Sequence, residues 1–154
     1  MKLTMLGTGN ALVTECFNTC FLMEDEGRLF MVDGGGGNAV LHQIRHAGYD
    51  WMDIRHIFVT HKHIDHLLGI IWMVRMICQF MNHGEYRGDA CIYSHGEVLD
   101  LIRDMAGKLL RRIRRTGHPS AVCAGRRSRP SGRTCPESDS RRSGARSRPP
   151  DRSP

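Results

Sequence analysis

Strand-like and helix-like stretches alternate along residues 2 to 110, which predicts an α/β fold with helices laid over a sheet. Short apolar runs closed by Gly, Asn or Asp turns mark the strands. Longer segments whose apolar residues fall on one stripe mark the helices. Lys2 to Leu6 reads as the first strand, stopped by the turn "GTGN" at Gly7 to Asn10. "CFNTCFLM" (Cys16 to Met23) and "RLFMV" (Arg28 to Val32) are two strands joined by the short acidic "EDEG", the pattern of a hairpin. "DGGGG" (Asp33 to Gly37) ends that strand and opens a helix across "NAVLHQIRHAG", with Val40, Leu41, Ile44 and Ala47 on one stripe and Gly48 as its stop. "HIFVT" (His56 to Thr60) is the next strand. "LLGIIWMVRMICQFM" is apolar nearly all round and reads as a buried helix. "ACIYS" (Ala90 to Ser94) adds a strand, and "GEVLDLIRDMAGKLL" a helix that turns Val98, Leu101, Ile102 and Met105 inward.

The composition breaks at Leu110. Residues 1 to 110 hold 9 Lys+Arg and 13 Asp+Glu, a net of −4, whereas residues 111 to 154 hold 13 Arg and 3 acids, a net of +10. The basic balance of the whole chain, +6, therefore belongs to the tail. That tail has no Phe, Tyr, Trp, Leu or Met, and only Ile113 and Val122 as large aliphatic residues. Too little apolar surface is available to offset its ordering entropy, so disorder is expected over 111–154. Its lysine-free Arg/Ser/Pro/Gly vocabulary reads like a GC-rich gene translated out of frame, and the native frame is expected to be lost near residues 108 to 116. The other reading is an arginine-rich arm that neutralises nucleic-acid phosphates, although no aromatic is present to stack on bases.

Six cysteines without an export signal predict reduced thiols in a cytoplasmic protein. The longest apolar window is interrupted by Arg75 and is shorter than the ~20 residues a bilayer span takes, so no membrane association is expected.

The segment "IFVTHKHIDHLLG" puts His61, His63, Asp65 and His66 within six positions at a strand-to-helix junction, where α/β sheets place their ligand crevices. Imidazole and carboxylate are ligands of zinc and of similar divalent ions. On an extended segment His61 and His63 point the same way and Lys62 points elsewhere, so two imidazoles can share one ion. Asp65 and His66 then face a neighbouring position about 3.5 to 4 Å away, the spacing of two-metal hydrolytic sites.

"THKHIDH" resembles the HxHxDH signature of the metallo-β-lactamase-fold hydrolases. "LGTGNA" after the first strand, Asn18 in the second and the turn in "FMVDGGGG" agree with it. Across residues 1 to 107 the resemblance is to ribonuclease Z and related phosphodiesterase-type enzymes. It implies the N-terminal half of an αββα sandwich over residues 1–110, and cleavage of a phosphodiester by metal-activated water. His61 and His63 would bind a first Zn2+, and Asp65 and His66 a second, with Fe or Mn as alternatives. Asp65 would also orient or deprotonate the attacking water. Asp33 either orients a ligand histidine or caps the following helix; both readings stand.

Ribonuclease Z usually carries an acid where Gly36 stands here. The family completes its site with a histidine, a bridging aspartate and a second histidine from the later half of the fold. Downstream of the motif this chain offers only His83, His95 and His118, so a truncated site is expected. Two further functions share these residues: a thioester or lactam hydrolase of the same fold, and a non-catalytic metal-binding remnant whose basic tail binds nucleic acid. The family also admits a homodimer. His42 and His46 lie four apart on a helix but lack the Glu of HExxH, and they read as a solvated face. "DGGGG" lacks the remaining residues of a phosphate loop. Cys16 and Cys20 read as packed thiols.

Overall fold

The structure, a computed structural model, describes residues 1–110 and the backbone of 122–125. In chain order the elements are β1 (Lys2–Gly7), β2 (Cys20–Asp25), β3 (Arg28–Val32), α1 (Ala39–His46), a 3-10 turn (Trp51–Asp53), β4 (Ile54–Phe58), α2 (Ile64–His83), β5 (Ala90–Tyr93), α3 (Gly96–Leu109) and β6 (Val122–Gly125). They build one six-stranded sheet whose strands lie side by side in sequence order. β1 to β3 form an antiparallel meander. Glu26 (φ 49°) and Gly27 (φ 75°) close its hairpin, both left-handed as a two-residue turn of matching twist requires. β3 to β6 are parallel neighbours, linked in turn through α1, α2 and α3.

That topology decides where the core lies. Every crossover steps one strand in the same direction, and right-handed crossovers of that kind put all their helices on one face. The burial agrees. Leu22, Met31, Ile57 and Ile92 from the sheet pack against Val40 and Ile44 of α1, Ile70, Met73 and Ile77 of α2, and Val98, Leu99 and Ile102 of α3. The opposite face carries the alternate residues. Register aligns Met5, Phe21, Val32, Phe58 and Tyr93 in a row across it. On β1, Leu3 and Met5 remain 54% and 44% exposed, and Phe21, Met23, Phe30 and Phe58 are half-buried. This is the α/β architecture expected, with the helices of the described residues over one face.

Several boundaries differ from expectation. β2 begins at Cys20 rather than Cys16, which leaves Asn18 and an exposed Cys16 in the preceding loop; of the two thiols only Cys20 is packed. α2 starts at Ile64, three residues before its apolar run, because the polar Asp65 and His66 form its first turn. At 20 residues it is long and apolar enough to cross a membrane, contrary to the expected length limit, yet Leu67, Ile70, Ile71, Met73, Val74 and Ile77 are spent on the protein core. Within the basic tail, the backbone of Val122–Gly125 pairs in parallel with β5. An open strand edge offers backbone donors and acceptors that any sequence can meet, so pairing there needs no apolar side chains. The remainder of the tail, including the expected disorder and His118, lies outside the described residues.

Candidate metal centre

The carboxyl ends of β3, β4 and β5 bring the chemistry-bearing loops to one edge of the sheet. Asp33 leaves β3 with φ 58°, a left-handed conformation that Asp tolerates better than most residues. Its N–H donates to the Phe58 carbonyl at 2.8 Å and so continues the ladder between β3 and β4. Val59 N–H donates to the Tyr93 carbonyl, and Ser94 Oγ to the Val59 carbonyl at 2.7 Å, which ties the end of β4 to that of β5. His63 then stands in extended backbone as the residue before α2.

Glycine fixes the height of α2 on this edge. Gly34 N–H donates to the His66 carbonyl at 2.8 Å and Gly69 N–H to the Gly35 carbonyl at 2.9 Å. A Cβ on Gly69 would run into the backbone of Gly34. The bare backbones therefore meet directly, and the first turn of α2, with Asp65 and His66, is held beside the glycine turn.

The four motif residues come together as two pairs. His61 Nε2 lies 3.1 Å from His63 Nδ1, and His66 Nε2 lies 3.5 Å from Asp65 Oδ2. Two donors bound to one tetrahedral ion at 2.0 to 2.1 Å stand roughly 3.3 Å apart, so both separations suit a shared ion. The rings of His61 and His66 are neighbours, with centroids 4.1 Å apart. Among the described residues, no three or more His, Cys, Asp or Glu side chains converge on a single metal position.

Behind the pairs lies Asp33, only 4% exposed. Its Oδ1 accepts the Thr60 N–H at 2.8 Å, and its Oδ2 accepts the Thr60 hydroxyl at 2.7 Å and His66 Nδ1–H at 2.8 Å. The helix-cap reading of Asp33 does not hold: α1 begins after Asn38, and Asp33 spends its oxygens on Thr60 and His66. Thr60 also contacts His61 Nδ1 through its hydroxyl, at 2.8 Å. The sequence predicts Thr60 only as the end of a strand; its place directly before the first histidine is the signal that marks it.

Other histidines lie apart from this arrangement. His83 ends α2, a helix whose first turn carries the cluster, and stands near Glu85 at 3.6 Å. His95 precedes α3, exposed, at the same sheet edge as the cluster. His42 and His46 are exposed on α1 with stacked rings, the solvated face expected. Gly36 donates its N–H to Asn18 Oδ1 at 3.1 Å, and Asn18 Nδ2 donates to the Asn10 carbonyl at 3.0 Å, so an asparagine from the first loop occupies the space beside the glycine turn. Lys62 and Glu97 approach at 3.7 Å on the surface, a pair of little energetic weight. Burial, reinforced by the nearby Asp33 carboxylate, pushes the Cys20 thiol up to about 12, so it remains a neutral packing group.

Residues 1–103 match the protein family described as Anti-Pycsar protein Apyc1. The chain is 31% identical over 105 residues to ribonuclease Z of Azobacteroides pseudotrichonymphae genomovar. CFP2, covering 68% of this chain and 34% of that protein. It is 37% identical over 76 residues to ribonuclease Z of Methanothermobacter thermautotrophicus, covering 49% of this chain and 24% of that protein. Among solved structures, human tRNase Z, short form, superposes with a TM-score of 0.56 and 26% identity over 68% of this chain and 38% of that one. A diphosphatase from the PhnP family superposes with a TM-score of 0.59 and 18% identity over 80% and 49%, a likeness of fold. The chain spans about a third of the length of the first of these ribonuclease Z relatives.

Proposed function

Because this chain belongs to the Anti-Pycsar protein Apyc1 family and carries the N-terminal half of a metallo-β-lactamase fold, we propose that it serves a metal-dependent hydrolase of phosphodiester bonds, of the ribonuclease Z kind. The observation that carries the reading is the pairing of donors at the sheet edge: His61 with His63, and Asp65 with His66, each pair spaced for one ion. Two Zn2+ ions suit these donors, and Fe or Mn would be accepted by the same chemistry. When bound, such ions lower the pKa of water and polarise the bond to be cut.

The chain's own residues do the rest. His61 and His63 hold one position and Asp65 and His66 the other. Asp65, half-buried at the start of α2, orients the attacking water and takes its proton. Asp33 holds His66 through Nδ1, which leaves Nε2 for the ion. In this reading the described residues supply two ligands to each ion, and turnover requires further ligands from outside them. The substrate class is a phosphodiester, in a nucleic acid or a small molecule. A reducing, cytoplasmic setting is part of the same proposal.

Zinc calorimetry on the whole chain, followed by hydrolysis of bis(p-nitrophenyl) phosphate, tests this, with His63→Ala as the control. Zinc binding that weakens in H63A is expected, and metal-dependent turnover only where residues beyond the described ones complete the ligand set. Binding without turnover reduces the chain to a metal-binding module, and no binding by the wild-type chain sinks the reading.

A further inference from the structure

We propose that Thr60 is a positioning residue whose hydroxyl relays the Asp33 carboxylate to His61, so that one buried carboxylate sets the ring tautomer of one ligand in each donor pair. The inference rests on the metal-binding reading above, but its evidence is the hydrogen-bond chain itself. An ionised carboxylate only accepts, so His66 must present Nδ1–H to Asp33 Oδ2 at 2.8 Å. A threonine hydroxyl has one proton, and here it goes to the same Oδ2 at 2.7 Å. The contact of Thr60 Oγ1 with His61 Nδ1 at 2.8 Å therefore has the imidazole N–H as its donor. In their neutral forms both rings are therefore set as Nδ1–H, which leaves Nε2 to face outward without a proton: His61 toward His63, His66 toward Asp65.

Without the relay, His61 would be free to carry its proton on Nε2, the atom 3.1 Å from His63 Nδ1, and that form cannot ligate an ion through Nε2. The relay also joins the two halves of the centre, because the rings it orders lie side by side and share one oxygen of Asp33. Thr60 grips Asp33 twice, by main-chain N–H and by hydroxyl. Valine at this position keeps the main-chain bond and the shape of the loop, and removes the relay alone.

The test compares wild type, Thr60→Val and Thr60→Ser without metal, by long-range proton–nitrogen correlation spectra of the imidazoles at a pH where they are neutral. In wild type His61 and His66 are expected as Nδ1–H. T60V should move His61 to the Nε2–H form, wholly or as a mixture, with His66 unchanged, and T60S should restore it. Zinc calorimetry on the same three proteins should show affinity falling about 10- to 100-fold in T60V and recovering in T60S. An Nε2–H tautomer for His61 in wild type, or no change in T60V, overturns the relay. Failure of wild type to take up zinc overturns the proposed function instead, and the tautomer spectra still decide the relay.

Discussion

His66 Nδ1 stands 2.8 Å from Asp33 Oδ2, a contact that spans 33 positions of sequence and joins the end of β3 to the first turn of α2. Asp33 is buried, left-handed in backbone and held by three donors, so its replacement separates charge from shape. Asn tolerates the same backbone and has the same size, but presents an N–H2 to at least one of those donors. Asp33→Asn should cost about 1 to 3 kcal/mol in urea unfolding and weaken zinc uptake. Asp33→Ala should be worse, since a Cβ-bearing residue without Asp's local hydrogen bonding is strained at that backbone. An Asn variant as stable as wild type would show that the carboxylate does not organise the site.

Two glycines should respond in opposite directions to the same substitution. Gly69→Ala drives a methyl into the backbone of Gly34 and pushes α2, with Asp65 and His66, off the glycine turn. A loss of at least about 1 to 3 kcal/mol is expected, with weaker zinc uptake. Gly107, inside α3, has nothing near its missing Cβ, so Gly107→Ala should gain about 0.5 to 1 kcal/mol through helix propensity. Urea midpoints for the two variants, measured side by side, check both signs.

The legible and illegible parts of this chain divide along the reach of the interactions. Periodicity and turn residues are local, so the hairpin, the three helices and the strands between them could be read from apolar spacing and from Gly48; that those strands run parallel comes from the tertiary pairing. The start of α2 could not, because its first turn is polar and is held by the backbone of a glycine turn some 30 residues earlier in the chain. The apolar run through Cys16 and Asn18 predicts a strand that tertiary pairing does not extend so far, since β1 and β2 stop pairing at Gly7 and Cys20. At the site, the residue types of HxHxDH announced the chemistry. The two readings of Asp33 were separated only by tertiary contact, and Thr60 acquired its role only when β3 and β4 were laid side by side.

Cys20 provides a pH prediction. Its thiol is raised from 9.0 to about 12, first by burial and then by the Asp33 carboxylate. The unfolded chain loses this proton near pH 9 while the folded chain keeps it. The stabilisation is therefore fully present below pH 9 and is lost as pH climbs toward 12. At 1.36 kcal/mol per unit its ceiling is about 4 kcal/mol. Burial raises Cys78 and Tyr86 in the same direction, so they add to the alkaline loss. Unfolding free energies at pH 8 and pH 10.5 should show the decline. Cys20→Ala, although less stable at pH 8 because of the cavity it leaves, should decline less; an equal slope in both proteins would remove Cys20 from the account.

The face of the sheet that none of the described helices covers makes the last prediction. Leu3 and Met5 stand more than 40% exposed on an edge strand, beside the half-buried Phe21, Met23 and Phe30. Apolar side chains on an open edge strand invite contact between copies, and charge is the usual remedy. Neither residue packs against the helices, so Leu3→Lys with Met5→Lys should change the unfolding free energy by no more than about 0.5 kcal/mol. The same pair should lower self-association, read as the concentration dependence of sedimentation and of light scattering. If the double variant sediments as the wild type does, association is not driven from this edge; if it loses several times the expected stability, the face is packed in solution by something the sheet itself does not supply.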